Sequence, residues 1–264
     1  MRSWLFVPCA KAKALQKARD LDCDALIFDL EDGVGDAQRA GAVTALAEAW
    51  HGGFRAGLRL VRVHPPSLNS IRRALHGCAV DGIVVPKVNG ADDLRAVAAA
   101  WPGVPLWAMI ETAKGVVNLA NICATGPELR GLIAGPNDLR RDLRGRPLQG
   151  RAEIAAALAQ IVLHGRANGL AVVDGVYNQY TDEQGFIAEC QQGRSLGFDG
   201  KTLIHPAQIA PANSAFAPSD EERAWARTVI AAFAGSEAGV ISLGGEMVER
   251  LHLDMAQRIL SSSG

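Results

Sequence analysis

Eight short apolar runs, separated by longer Ala-rich segments, constrain what this chain can fold into more than any other feature. They are WLFVP (4–8), DALIFDL (24–30), GLRLVRV (57–63), DGIVVPK (81–87), VPLWAMIE (104–111), GLIAG (131–135), LAVVDGV (170–176) and DGKTLIH (199–205). The runs are continuously apolar rather than alternating, as strands buried on both faces should be. Segments of helical period lie between them, at about 10–21, 36–50, 68–77, 91–100, 113–124, 151–168 and 183–196. Strands alternating with helices imply right-handed crossovers and a parallel sheet. Eight such strands in 264 residues predict a closed (β/α)8 TIM barrel rather than an open doubly wound sheet.

The barrel is expected over residues 1–210, leaving 211–264 as a C-terminal helical and hairpin extension. In this extension SDEERAWARTVIAAF (219–233) reads as a helix, with Ser219 as N-cap and Glu222 completing a capping box. AGVISLGG reads as a short extended or hairpin segment, and EMVERLHLDMAQRIL (246–260) as a last helix. The extension is long enough to cover the barrel mouth or to reach a neighbouring subunit.

Composition enters by exclusion. A net charge of -1 without a long like-charge block gives no footprint for nucleic acid. No apolar run approaches the roughly 18 residues that a membrane span needs. The five cysteines (Cys9, Cys23, Cys78, Cys123, Cys190) are far apart and form no C-x-x-C pair. Neither a zinc site nor a disulfide framework is therefore expected, and reduced thiols in the cytoplasm are the simple reading. Met1-Arg2-Ser3 runs straight into WLFVP, so no signal peptide is expected.

In a barrel of this kind the chemistry sits at the carboxyl ends of the strands. Those ends carry Asp29-Leu30-Glu31-Asp32-Gly33, Arg62-Val63-His64, Lys87, Glu111, Asn137-Asp138, Asp174, and Lys201 with His205. A buried strand does not close on a bare carboxylate without a partner, because an unpaired charge in low dielectric is costly. Two successive strands do so, at Glu111 and Asp138. As a pair of hard oxygen ligands they suit Mg2+, or Mn2+, with water and substrate filling the other positions. The alternative is a pair of rim salt bridges with Arg62 or Lys87. Arg62 suits an anionic oxygen, such as an enolate developing on a carbonyl. Asp29, Glu31 and Asp32 either assist a metal shell through water or cap the next helix and pair with Arg62 or Lys87. His64 is open as base or structural donor. Lys201 lies early in its strand, which favours a buried ion pair over a Schiff base. Cys9 is expected to be packed and inert. The run RRDLRGRP, with Arg140, Arg141, Arg144 and Arg146, either meets phosphates or is a solvated loop.

The segments RSWLFVP, DALIFDLEDGV, VRVHP, DGIVVPK, IETAKGVVN, GPNDL, LGFDGKTLIHPAQI and GGEMVERLHLDMAQRIL, in order over nearly the whole chain, resemble the citrate lyase beta-subunit-like (CitE-like) family of the HpcH/HpaI aldolase superfamily. DLEDGV and the FDGK-x-x-IHP block are the most specific of them. The resemblance implies a (β/α)8 barrel, a homotrimer or hexamer, and Mg2+-dependent cleavage or formation of a carbon–carbon bond in a CoA thioester such as citryl-, citramalyl- or malyl-CoA. It makes Glu111 and Asp138 the metal ligands, in contact with substrate, and Arg62 the residue that binds substrate and stabilises the acetyl-CoA enolate. It implies an acid/base carboxylate, typically Asp in M-V-D, that closes the site of the adjacent subunit. Here that position is Glu249. Arg62, Glu249 and Asp32 are thus the catalytic candidates. The family often has Gly at Cys9, Asn at His64 and Glu at Asn137, so substrate choice differs from the pattern more than metal binding does. The competing functions are aldol cleavage of free 2-oxo acids, hydrolysis of a CoA thioester, and a non-catalytic binding subunit. The first is disfavoured, since Asp29-Leu30-Glu31-Asp32 stands where that branch places a His base.

Overall fold

The computed structural model describes residues 1–261, without the Gln149 side chain. Its eight barrel strands are β1 (Ser3–Pro8), β2 (Ala25–Asp29), β3 (Leu58–Arg62), β4 (Gly82–Val85), β5 (Leu106–Ile110), β6 (Leu129–Ala134), β7 (Ala171–Asp174) and β8 (Gly200–Leu203). They close in chain order into one parallel barrel, with β8 pairing back onto β1. The expected (β/α)8 barrel is therefore the fold. The helices between the strands are α1 (Ala12–Ala18), α2 (Asp36–Trp50), α3 (Leu68–Ala74), α4 (Ala91–Ala100), α5 (Ala113–Val117), α6 (Leu119–Cys123), α7 (Pro136–Asp142), α8 (Ala155–Ala167) and α9 (Glu183–Leu196).

The barrel interior is filled by side chains, as in other packed barrels. Trp4 of β1 and Trp107 of β5 meet edge to face with ring centroids 4.6 Å apart, among Ile27, Leu60, Val84 and Ile133. Gly131 makes room for them: a Cβ there would lie 2.2 Å from the Trp107 ring.

The described residues form two compact units, one over Met1–Asn213 and one that begins at Ser214. In the second unit α11 (Asp220–Phe233) opens on the capping box at Ser219 and Glu222. Helix α10 (Ile209–Ala215) lies at the boundary. Val229, Phe233, Val248 and Ala256 form a small core of the second unit's own.

Three segments depart from the sequence reading. Residues 113–124 make two short helices, because Asn118 breaks the run and donates its Nδ2 to the Asn89 carbonyl at 2.7 Å. Helix α8 begins only at Ala155, because Gly150 and Arg151 are both left-handed. Residues 246–260 are not one helix. β10 (Glu246–Glu249) pairs antiparallel with β9 (Val240–Leu243), and α12 (Arg250–Ser261) follows. Gly244 and Gly245, at φ 60° and 89°, form the two-residue turn that such a hairpin requires, with both central residues at positive φ. Glu249 therefore ends a strand, and its peptide N–H donates to His252 Nδ1 at 2.9 Å.

Candidate active site

The parallel register sets Asp29, the last residue of β2, directly beside Arg62, the last residue of β3. Their side chains form a two-pronged ion pair, Nε to Oδ1 at 2.8 Å and NH2 to Oδ2 at 2.7 Å. The turn after β2 wraps Asp29, with the Glu31 and Gly33 peptides donating to it at 2.9 and 2.8 Å. A Cβ at Gly33 would stand 2.4 Å from Asp29 Oδ2. The third guanidinium nitrogen lies 3.3 Å from Glu31 and 3.7 Å from Asp32, and the group sits over the Phe6 ring at 4.8 Å. Burial alone would lower the Arg62 pKa, but Asp29 outweighs it and holds the guanidinium charged.

Glu31 and Asp32 take the pairing alternative. Lys87 Nζ bonds both, at 3.1 Å to Asp32. Glu111, one residue past β5, does not. It is 1% exposed, and its Oε1 accepts the Lys87 peptide N–H at 2.7 Å. No cation lies within salt-bridge distance of it among the described residues. Burial pushes its carboxyl up to about 7, and the negative charge of Asp138 adds to the rise. Asp138, in the first turn of α7, pairs at the surface with Arg141. Gly135 lets these elements meet, since a Cβ there would fall 2.5 Å from Glu111 Oε2.

A cavity of about 320 Å³ gathers Asp32, Arg62, Glu111 and Asp138 in its wall, with Phe6 and Asn178 among the other lining residues. His64 is not in that lining; it bonds Ser67 at 3.1 Å. Asn137 and Asn178 exchange amide hydrogen bonds of 3.1 and 2.8 Å. The loop carrying Asn178 gave no signal in the sequence, because it has no periodicity and Asn178 itself is uncharged. Cys9 is buried and its thiol is pushed up by that burial, as an inert thiol should be. Lys201 is fully buried and bonds Asp174 and Glu189, each at 2.8 Å, so it is held as an ion pair. Arg151 completes that network, bonding Asp174 at 2.7 Å. Glu249 belongs to the second unit, described above.

The donor set fits a hard divalent cation. Among the described residues no cluster of three or more His, Cys, Asp or Glu side chains forms a ready-made cage. Mg2+ rarely uses one; it takes one or two carboxylates and keeps water. Glu111 supplies an ionisable oxygen, Oε2, that has no hydrogen-bond partner among the described residues, next to a second carboxylate. A divalent ion there would compensate the negative charge of both carboxylates.

Comparison with known proteins bears on this geometry. The chain is 45% identical over 99% of its length, and 94% of theirs, to proteins of Cereibacter sphaeroides named (3S)-malyl-CoA thioesterase. It is 33% identical over 99% of its length, and 96% of the relative's, to a citrate lyase subunit beta-like protein of Deinococcus radiodurans. Among solved structures it matches the CitE protein of Mycobacterium tuberculosis in complex with magnesium, acetoacetate and coenzyme A. There the TM-score is 0.83 at 30% identity, covering 100% of this chain and 98% of that one. The family model for HpcH/HpaI aldolase/citrate lyase matches residues 2–206, which include all eight barrel strands. The chain is therefore an enzyme-family barrel with a cavity at its strand ends, and it belongs to the HpcH/HpaI aldolase/citrate lyase family.

Proposed function

We propose that this chain is a Mg2+-dependent enzyme that hydrolyses the thioester of a 3-hydroxyacyl-CoA bearing a second carboxylate, with (3S)-malyl-CoA as the substrate to test first. The observation that carries the metal and acyl-anion chemistry is Glu111, a buried carboxylate with no cation of its own among the described residues, in one cavity with Asp138 and Arg62. The choice of hydrolysis rests on the 45% identity to the malyl-CoA thioesterases, against 31–33% to the citrate lyase beta relatives.

In this reading Glu111 and Asp138 hold Mg2+, which when bound acts as a Lewis acid on the substrate's oxygens. Arg62, held charged by Asp29, faces the negative charge that develops on the thioester oxygen. Phe6 packs its ring against the guanidinium at 4.8 Å. Asp32, half exposed and already paired with Lys87, accepts or orients a proton at the cavity mouth. Glu249 takes the acid/base step that the family resemblance implies. Glu249→Gln should lower kcat by about 10²-fold or more, in the range of a general acid or base, with Mg2+ affinity unchanged. An unchanged kcat removes it from the mechanism.

Carbon–carbon cleavage remains the second reading, favoured by Arg62, since a retro-Claisen step needs the departing enolate stabilised by such a group. A thiol-release assay separates the two. Hydrolysis frees one CoA thiol per substrate consumed, whereas cleavage leaves the thiol bound in acetyl-CoA.

The raised Glu111 pKa gives a stability signature in the metal-free protein. Its folded value, about 7, lies above its ordinary 4.5. The folded state therefore binds the proton more tightly than the unfolded chain, and stability from this group falls as pH rises from about 4.5 to about 7. The full span is worth about 3 kcal/mol. Glu111→Gln removes the slope, so its melting temperature should gain on the parent between pH 5 and pH 8. A gap that does not change with pH contradicts the assignment.

A further inference from the structure

Lys87 follows β4 with its backbone at φ 51°, one of three left-handed non-glycine residues among those described. Such a conformation is strained for a residue with a Cβ and is usually given to glycine. The surroundings hold it in place. Its carbonyl accepts from Asn89 Nδ2 at 2.9 Å, and the next peptide, Val88, donates to the Met109 carbonyl at 3.2 Å. Asn89 is in turn tied to the following loop, accepting from Thr112 Oγ1 and from Asn118 Nδ2, each at 2.7 Å. Thr112 is the neighbour of Glu111, so the loops after β4 and β5 are fastened together at the carboxylate.

The strained residue does two things at once. Its peptide N–H takes Oε1 of Glu111 at 2.7 Å. Its ammonium holds Glu31 and Asp32. A glycine would give the N–H without the strain, but not the charge. Glu31 and Asp32 are adjacent hard oxygen donors on the same rim, of the type that Glu111 and Asp138 offer. Without Lys87 they would be a second acidic pair facing a divalent cation, with only Arg62 left to share between them and Asp29.

We propose that Lys87 is a positioning residue that keeps the site mononuclear: its peptide fixes one oxygen of Glu111, and its ammonium acts as a built-in cation that denies Glu31 and Asp32 to a divalent ion. The inference rests on the metal reading of Glu111 and Asp138 given above. It is tested by counting ions on the full chain, by calorimetry with Mg2+ and by the electron paramagnetic resonance of free and bound Mn2+. Lys87→Met removes the charge and keeps the stem and the peptide N–H. Lys87→Gly also removes the charge and relaxes the backbone, so that folding is not in question. Lys87→Arg keeps the charge.

The expected result is one ion per chain in the parent and in Lys87→Arg, and two in Lys87→Met and Lys87→Gly, with kcat at least tenfold lower in those two. A merely structural role would move melting temperature and affinity without adding an ion. One ion per chain in Lys87→Met and Lys87→Gly, at any affinity, overturns the proposal. No ion on the parent chain would refute the metal site itself, and the proposal with it, which is a different result from one ion in every variant.

Discussion

Glu111→Gln should lower Mg2+-dependent turnover by roughly a thousandfold or more, and Asp138→Asn should do the same. A bound metal acting as a Lewis acid is worth several kcal/mol in the transition state, and each ~1.4 kcal/mol is tenfold in rate. Glutamine keeps the volume that Gly135 and the Lys87 peptide are shaped around. It loses the charge, so the fold should survive while the ion is lost. If both carboxylates act through one ion, as proposed, the double variant should be no slower than either single variant, the behaviour of residues that work as a unit. Calorimetry with Mg2+ on the same samples checks the cause. Full activity in either single variant, or losses that multiply in the double, would remove the pair from the centre of the mechanism.

Asp174→Ala should be the most damaging substitution for stability away from the cavity. Asp174 is fully buried and accepts from Arg151, Lys201 and the Gly175 peptide. Deleting it leaves Lys201, itself fully buried, with Glu189 alone. It also leaves Arg151, which already has one unpartnered nitrogen, NH2, short of its main acceptor. Removing one partner of a buried ion pair costs about 3–5 kcal/mol. In a chain of this size that corresponds to a fall in melting temperature of roughly 10 °C. The exposed Asp92–Arg95 pair should be worth less than about 1 kcal/mol by the same measurement. A fall of under about 2 °C for Asp174→Ala would mean that the network is not the tie between β7, β8 and the Arg151 loop that its geometry implies.

The barrel was legible because strands buried on both faces leave continuous apolar runs, and those runs end where side chains must face the cavity. Arg62 and Glu111 stand at or just past such ends and Asp138 in the helical turn beyond one, and all three line the cavity. The partners of these residues were not legible. That Asp29 clasps Arg62 follows from strand register, which the apolar runs do not encode. That Lys87 gives its peptide N–H to Glu111 and its ammonium to Glu31 and Asp32 goes with a left-handed backbone there, and a lysine gives no sign of one. Arg151 reaches Asp174 from beyond an irregular loop. Read as part of a helical segment, it carried no sign of burial. The tail hairpin had a local signal in Gly244-Gly245, but the helical period of EMVERLHLDMAQRIL outweighed it, and Glu249 was placed on the wrong kind of element.

The most direct test of the proposed reaction is to incubate the full chain with (3S)-malyl-CoA and Mg2+ in 18O-labelled water and to identify the products by mass spectrometry. Thioester hydrolysis predicts free CoA and malate carrying one 18O in a carboxylate, both lost when Mg2+ is chelated. Acetyl-CoA and glyoxylate as the products, with no labelled malate, would contradict it.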